Sequence, residues 1–147
     1  MIVIGALLLT QLLAVSPAPV RSDAGERCLS FEPTVESIVG TLVRKTFAGP
    51  PNYESVKAGD EAETGWYISL ARPLCFSRTQ SNESQIEDVA GVTLVQLVLT
   101  HGEYKSHARL VGKTVKATGT FFAAQTGHHH TAVLLQVASL EARRIDP

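Results

Sequence analysis

A chain of 147 residues with 44% apolar and 18% charged residues has the size and composition of one globular domain, which excludes wholesale disorder. Thirteen Lys and Arg against fourteen Asp and Glu leave a formal charge of -1, and a pI near 6.5 supplies no overall positive field to recruit nucleic acid or anionic lipid. Seven Pro and eleven Gly, mostly between apolar runs, point to short strands joined by turns and away from a helical bundle.

The first element is a leader. Residues 1–15 (MIVIGALLLTQLLAV) are almost wholly apolar, and Pro17 and Pro19 follow the run. The stretch is shorter than the ~20 residues a membrane-spanning helix needs, and Ser22 and Ala24 supply small residues for cleavage, although no Lys or Arg precedes it. Residues 1–24 are therefore read as a secretory signal peptide and 25–147 as a single domain, secreted or periplasmic, with no membrane span in the mature chain. Cys28 and Cys75 both lie beyond the leader, and an even count in an exported chain predicts a disulfide. Neither has the CxxC-type spacing of a thiol metal site.

Five segments then carry strand patterning. Residues 35–47 (VESIVGTLVRKTF) are rich in β-branched side chains, with Gly40 placed to permit a bend, and residues 65–71 (GWYISLA) put Trp66, Ile68 and Leu70 on one face. Residues 92–99 form a near-continuous apolar run, residues 114–123 alternate, and residues 131–140 complete the set. Between the third and fourth segments lies one helix. Thr100 followed by Glu103 is a capping box, Tyr104, Ala108 and Val111 share a face, and Gly112 suits the position after the C-terminus.

This order predicts an all-β domain with one short helix: a five-stranded OB-like Greek-key barrel with the helix between strands 3 and 4. A small β-sandwich with one helix is the alternative. Two long connections interrupt the pattern, residues 48–64, rich in Pro, Gly and carboxylates, and the polar residues 77–91.

Two loops hold the candidate functional residues. On the turn between the last two strands, Thr126 to Thr131 (TGHHHT) carries His128, His129 and His130. If that backbone is extended, His128 and His130 project to one side, and two imidazoles at that spacing can share Zn²⁺ or Cu²⁺. His101, His107, Glu54, Asp60 and Glu61 are the candidates for a further ligand. The same imidazoles can instead stabilise the turn or touch an organic ligand, and residue chemistry leaves all three open. In the first long connection, consecutive prolines in GPPNYE stiffen the backbone and present Asn52, Tyr53 and Glu54 at low ordering cost. In an OB-type barrel these two loops flank the usual binding face, so they are expected to meet across one end of the barrel and share a pocket. The alternative is a rigid loop with Tyr53 packed over the barrel edge.

Other chemistries find less support. Lys105, Arg109, Lys113 and Lys116 cluster around the helix and fourth strand, but acidic residues 54–88 offset them. At 6% aromatic the chain also lacks the spaced stacking platforms of single-strand binders, so no nucleic-acid partner is expected. No GxSxG elbow, HExxH, P-loop or Rossmann fingerprint occurs, and no catalytic residue is assigned. Glu54, Glu61 and Glu63 with the histidines are the acid and base groups that an unrecognised hydrolase would use.

The residues Cys28, Leu29, Phe31, Glu32 and Pro33, the segment GPPNYES and the segment TGHHHT together resemble an uncharacterised bacterial family of exported proteins, a domain of unknown function, over roughly residues 28–137. The family pattern more often has Tyr at the position of Phe31. The resemblance implies bacterial origin, export and one compact domain, and it brings no established activity. The expected function is a non-catalytic binding module for a cell-envelope or small-molecule ligand, with a periplasmic metal-binding protein as the alternative.

Overall fold

A computed structural model of the protein describes residues 27–79 and 87–143, and the predicted leader lies outside them. The five expected segments form β2 (Val35–Ala48), β3 (Ala62–Ser77), β4 (Val89–Val98), β5 (Thr114–Ala123) and β6 (Val133–Ala142), preceded by a short β1 (Leu29–Ser30) that strand patterning had not marked. Strand β2 pairs antiparallel with β3 and β5, β3 with β4, and β5 with β6. Strand β4 then runs parallel to β6, so the five strands close into a ring with the OB-type connectivity expected. The short β1 adds to β3 in parallel register, Leu29 beside Phe76.

One strand can serve both sides of the ring because β2 bends at a glycine. Thr41 is paired with Thr114 of β5 and also with Ser69 of β3, marking where β2 passes from one partner to the other. A Cβ on the adjacent Gly40 would stand 2.5 Å from the Ser69 carbonyl oxygen, so the close crossing of the two backbones admits no side chain.

The strands differ from the expected segments at their ends, for local reasons. Strand β3 continues through Pro73 because its ladder to β4 is interrupted between Ser69 and Leu74, where a residue without an N–H costs no sheet bond. Strand β6 begins at Val133, not Thr131. The Thr131 hydroxyl donates to the Val133 carbonyl at 2.7 Å and accepts the Gln96 amide at 3.1 Å, which keeps that residue in the turn.

The helix α1 (His101–His107) sits where the capping box placed it. Glu103 accepts from the Thr100 amide at 2.7 Å, and the Thr100 hydroxyl accepts from the Glu103 amide at 3.4 Å. Residues Ala108–Leu110 tighten into a 3-10 turn, and Gly112 follows with φ 84, its amide donating to Leu42 at 2.7 Å. Among the described residues no helix is long and apolar enough to cross a membrane.

The ring interior holds Leu42, Ile68, Phe76, Val95, Phe121 and Leu135, all fully buried. Trp66 closes one part of it by an edge contact with Tyr104 of α1, ring centroids 5.0 Å apart, and is core as its strand position suggested. Phe31 packs into the same interior against Phe76 at 5.8 Å. The neighbouring Cys28 is bonded to Cys75, the pairing expected, which ties the chain before β1 to β3.

Candidate functional site

Strand alternation decides which face of the ring carries the site. Trp66 and Ile68 point into the core, so Glu63, Gly65 and Tyr67 share the opposite, outer face of β3. Cross-strand register adds neighbours on that face: Phe47 lies opposite Glu63, and Gln96 opposite Tyr67. The histidine turn and the proline loop both fold over this patch. The two loops therefore meet as expected, but over the outer face of β3 and β4 and not across an open end of the ring.

The proline loop is organised by one carboxylate. Asp60 is buried and accepts from the amides of Asn52, Glu54 and Ser55, each at 2.9 Å, and from the Asn52 side chain at 3.1 Å. The three backbone donors, Ser55 foremost, hold its pKa down at about 2. Because Asn52 and Glu54 are gripped on either side, Tyr53 between them takes φ 59, a left-handed conformation that a tyrosine seldom adopts. Its amide donates to the Gly49 carbonyl at 2.9 Å, its ring stays 40% exposed, and the preceding Pro50–Pro51 peptide is cis. Asn52 is thus committed to the loop itself. Glu54 gives its amide to Asp60 and leaves its side chain exposed.

The histidine turn is fixed from β4. The Gln96 side chain donates to the His128 carbonyl at 3.1 Å and accepts the His130 amide at 2.7 Å, spanning the turn with both ends of one amide. The three imidazoles then separate. His129 accepts the Gln125 amide on Nδ1 at 2.9 Å and meets the edge of Phe122, a local role that stabilises the turn. His128 and His130 both reach Glu63, although Gly127 and His128 lie in a turn and not in the extended backbone on which their shared direction was expected.

Glu63 is where the two loops join. One carboxylate oxygen lies 2.5 Å from His128 Nδ1 and the other 2.7 Å from His130 Nε2. Burial works to raise the Glu63 pKa, but the hydrogen bonds from the two imidazoles outweigh it and hold the group below its ordinary value. An ionised carboxylate only accepts, so the bonding network assigns a proton to Nδ1 of His128 and to Nε2 of His130. His130 is nearly buried and stacks on Phe47, with centroids 4.9 Å apart and an 8° interplanar angle, whereas the His128 side chain is 61% exposed.

Glycines let the loops come this close. A Cβ on Gly127 would fall 2.7 Å from the Tyr53 ring, and one on Gly49 would fall 2.6 Å from Glu63 Cγ. Tyr53 also meets His128 edge-on at 5.9 Å. Between Glu63, Tyr67, Gln96, Tyr104, His128 and His130 lies a cavity of about 130 Å³. The Tyr67 hydroxyl is buried there without a hydrogen-bond partner among the described residues. Burial first, with Tyr104 and Glu63 nearby, pushes its pKa up to about 12, so the phenol keeps its proton. A larger cavity of about 440 Å³ beside Ile38, Leu70 and Arg72, at the far end of β2 and β3, contains none of the candidate residues.

The sequence placed Glu63 only among general acid and base candidates, and it marked neither Tyr67 nor Gln96. Of the further metal ligands considered, Asp60 is occupied within the loop, and His101 and His107 stand at the two ends of α1, whose contribution to the cavity is Tyr104. Among the described residues no group of three or more His, Cys, Asp and Glu side chains is arranged to hold a metal ion.

Residues 94–141 match a family described as a domain of unknown function, DUF4431. The matching span runs from β4 into β6, so it includes Gln96, Tyr104 and the histidine triplet but neither Glu63 nor the proline loop. No curated protein and no solved structure matches the chain.

Proposed function

We propose that this chain is an exported bacterial binding module without catalysis of its own, which takes a cell-envelope or small-molecule ligand on the outer face of β3 and β4. The observation that carries this reading is the joining of two separate loops through Glu63, His128 and His130, with the exposed ring of Tyr53 beside them. Hydrogen bonds fix Gln96, Asp60 and Glu63, so the face is organised before any ligand arrives, which lowers the ordering cost of binding. Tyr53 held left-handed at its rim is the sort of strain that collects at ligand clamps. Export draws support from the Cys28–Cys75 bond, since structural disulfides belong to oxidising compartments.

The test is calorimetry of the mature protein with soluble muropeptides, which combine amino sugars with a short peptide. Saturable binding that falls at least about tenfold in a Tyr53→Ala, His128→Ala double variant supports the reading. Equal affinity in the variant places the binding elsewhere and overturns it.

A metal-binding protein remains the alternative, because a carboxylate that accepts from an imidazole commonly orients the other ring nitrogen toward a metal. Titration with Zn²⁺ and Cu²⁺ separates the two. Metal affinity above that of a histidine-rich peptide, lost in a His128→Ala, His130→Ala variant, favours the alternative.

A further inference from the structure

The cavity beside Glu63 contains a mismatch that the protein does not resolve internally. Tyr67 is wholly buried, yet its hydroxyl has no partner among the described residues, and a buried polar group left so is costly. It would be simple for a fold to place Phe there, since the ring already packs against Phe47 at 5.4 Å. Tyr67 instead lines the same cavity as Glu63, and a Cβ on Gly65 would come within 3.1 Å of its hydroxyl, so the glycine keeps a side chain from crowding the buried phenol oxygen.

The polar groups around the cavity specify what satisfies them. Tyr67 presents an O–H in need of an acceptor. The Glu63 carboxylate, with about four acceptor sites, uses two on the imidazoles and has capacity for another donor. Both demands are met at once by a group that donates and accepts from one atom. An ammonium cannot accept from Tyr67, and a carboxylate or phosphate would be repelled by Glu63. A hydroxyl does both, and a cavity of about 130 Å³ has room for a hydroxyl or hydroxymethyl group. Tyr53 at the rim, 40% exposed, offers an apolar face against which the rest of such a ring can lie.

We propose that the cavity is a hydroxyl seat for a saccharide: one sugar hydroxyl donates to Glu63 and accepts from Tyr67, with the ring lying outward toward Tyr53. This rests on the binding-module reading and names the chemical class of its ligand. A water molecule, which also donates and accepts from one atom, and a peptide amide, which needs two atoms to do the same work, are the competing occupants.

The test uses three probes on the mature protein: the muropeptide, its N-acetylated disaccharide without peptide, and its stem peptide without sugar. Tyr67→Phe removes only the orphan hydroxyl, and Gly65→Ala puts a methyl group beside it. The disaccharide is expected to bind, and both variants to weaken it by at least about tenfold, as expected of a site built to hydrogen-bond a hydroxyl. Tyr67→Phe is also expected to melt no lower than the wild type, a result that a purely structural hydroxyl would not give. Retention of disaccharide affinity in Tyr67→Phe overturns the seat while leaving the module intact. Binding of the stem peptide in place of the disaccharide overturns the saccharide class, and silence from all three probes overturns the module reading beneath it.

Discussion

At the scale of single residues, the site is held by two carboxylates whose ionisation has consequences in acid. Asp60 has a folded pKa of about 2 against an ordinary 3.8, so it favours the folded loop above the ordinary value and ceases to as pH falls through the folded one. Glu63 is shifted in the same direction, and the link between the loops is lost in the same sense. Protection from hydrogen exchange, measured against the intrinsic rate at each pH, is therefore expected to fall at Asn52, Glu54 and Ser55 as pH falls from about 3.8 toward about 2, before the ring strands open. In Asp60→Asn those amides should exchange rapidly at neutral pH as well. Protection that persists at pH 2 would remove Asp60 as the organiser of the loop. None of this pairing is visible along the chain, because Glu63 and His128 lie 65 positions apart and a carboxylate at the end of an acidic loop looks like many others.

At the scale of elements, alternation and turn chemistry carried most of the information. The capping box at Thr100, the apolar periods of β4 and β5 and the bend at Gly40 all follow from short-range rules that act on neighbouring residues. What those rules missed depends on a partner far along the chain. The pattern Glu63, Gly65, Tyr67 is a strand face, but its polar first member and its glycine hide the period until β2 is laid beside it. Likewise β1 has two residues and exists only because β3 offers it an edge. Gly119 shows how sharply the pairing constrains sequence: the ladder to β6 shifts beside it, and a Cβ there would stand 2.0 Å from the Gln136 carbonyl oxygen. Gly119→Ala is expected to cost about 1–3 kcal/mol, read from urea unfolding, because two backbones must move apart. An unchanged midpoint would mean that the β5–β6 crossing is looser than the register implies.

At the scale of the whole molecule, the ring is supplemented by a covalent tie. The disulfide spans a sequence separation of 47, for which chain entropy gives about 4 kcal/mol, a large part of a small domain's stability. A Cys28→Ser, Cys75→Ser variant should unfold at a correspondingly lower denaturant concentration, and an unshifted midpoint would show that the strands alone suffice. The same bond also encircles the proline loop, which leaves β2 and re-enters at β3 within the tied stretch, while the histidine turn lies outside it. A protease that nicks the backbone between Pro51 and Asp60 therefore severs the peptide without releasing either fragment. The clipped protein should migrate as one band until thiol is added, its halves still seated on one another.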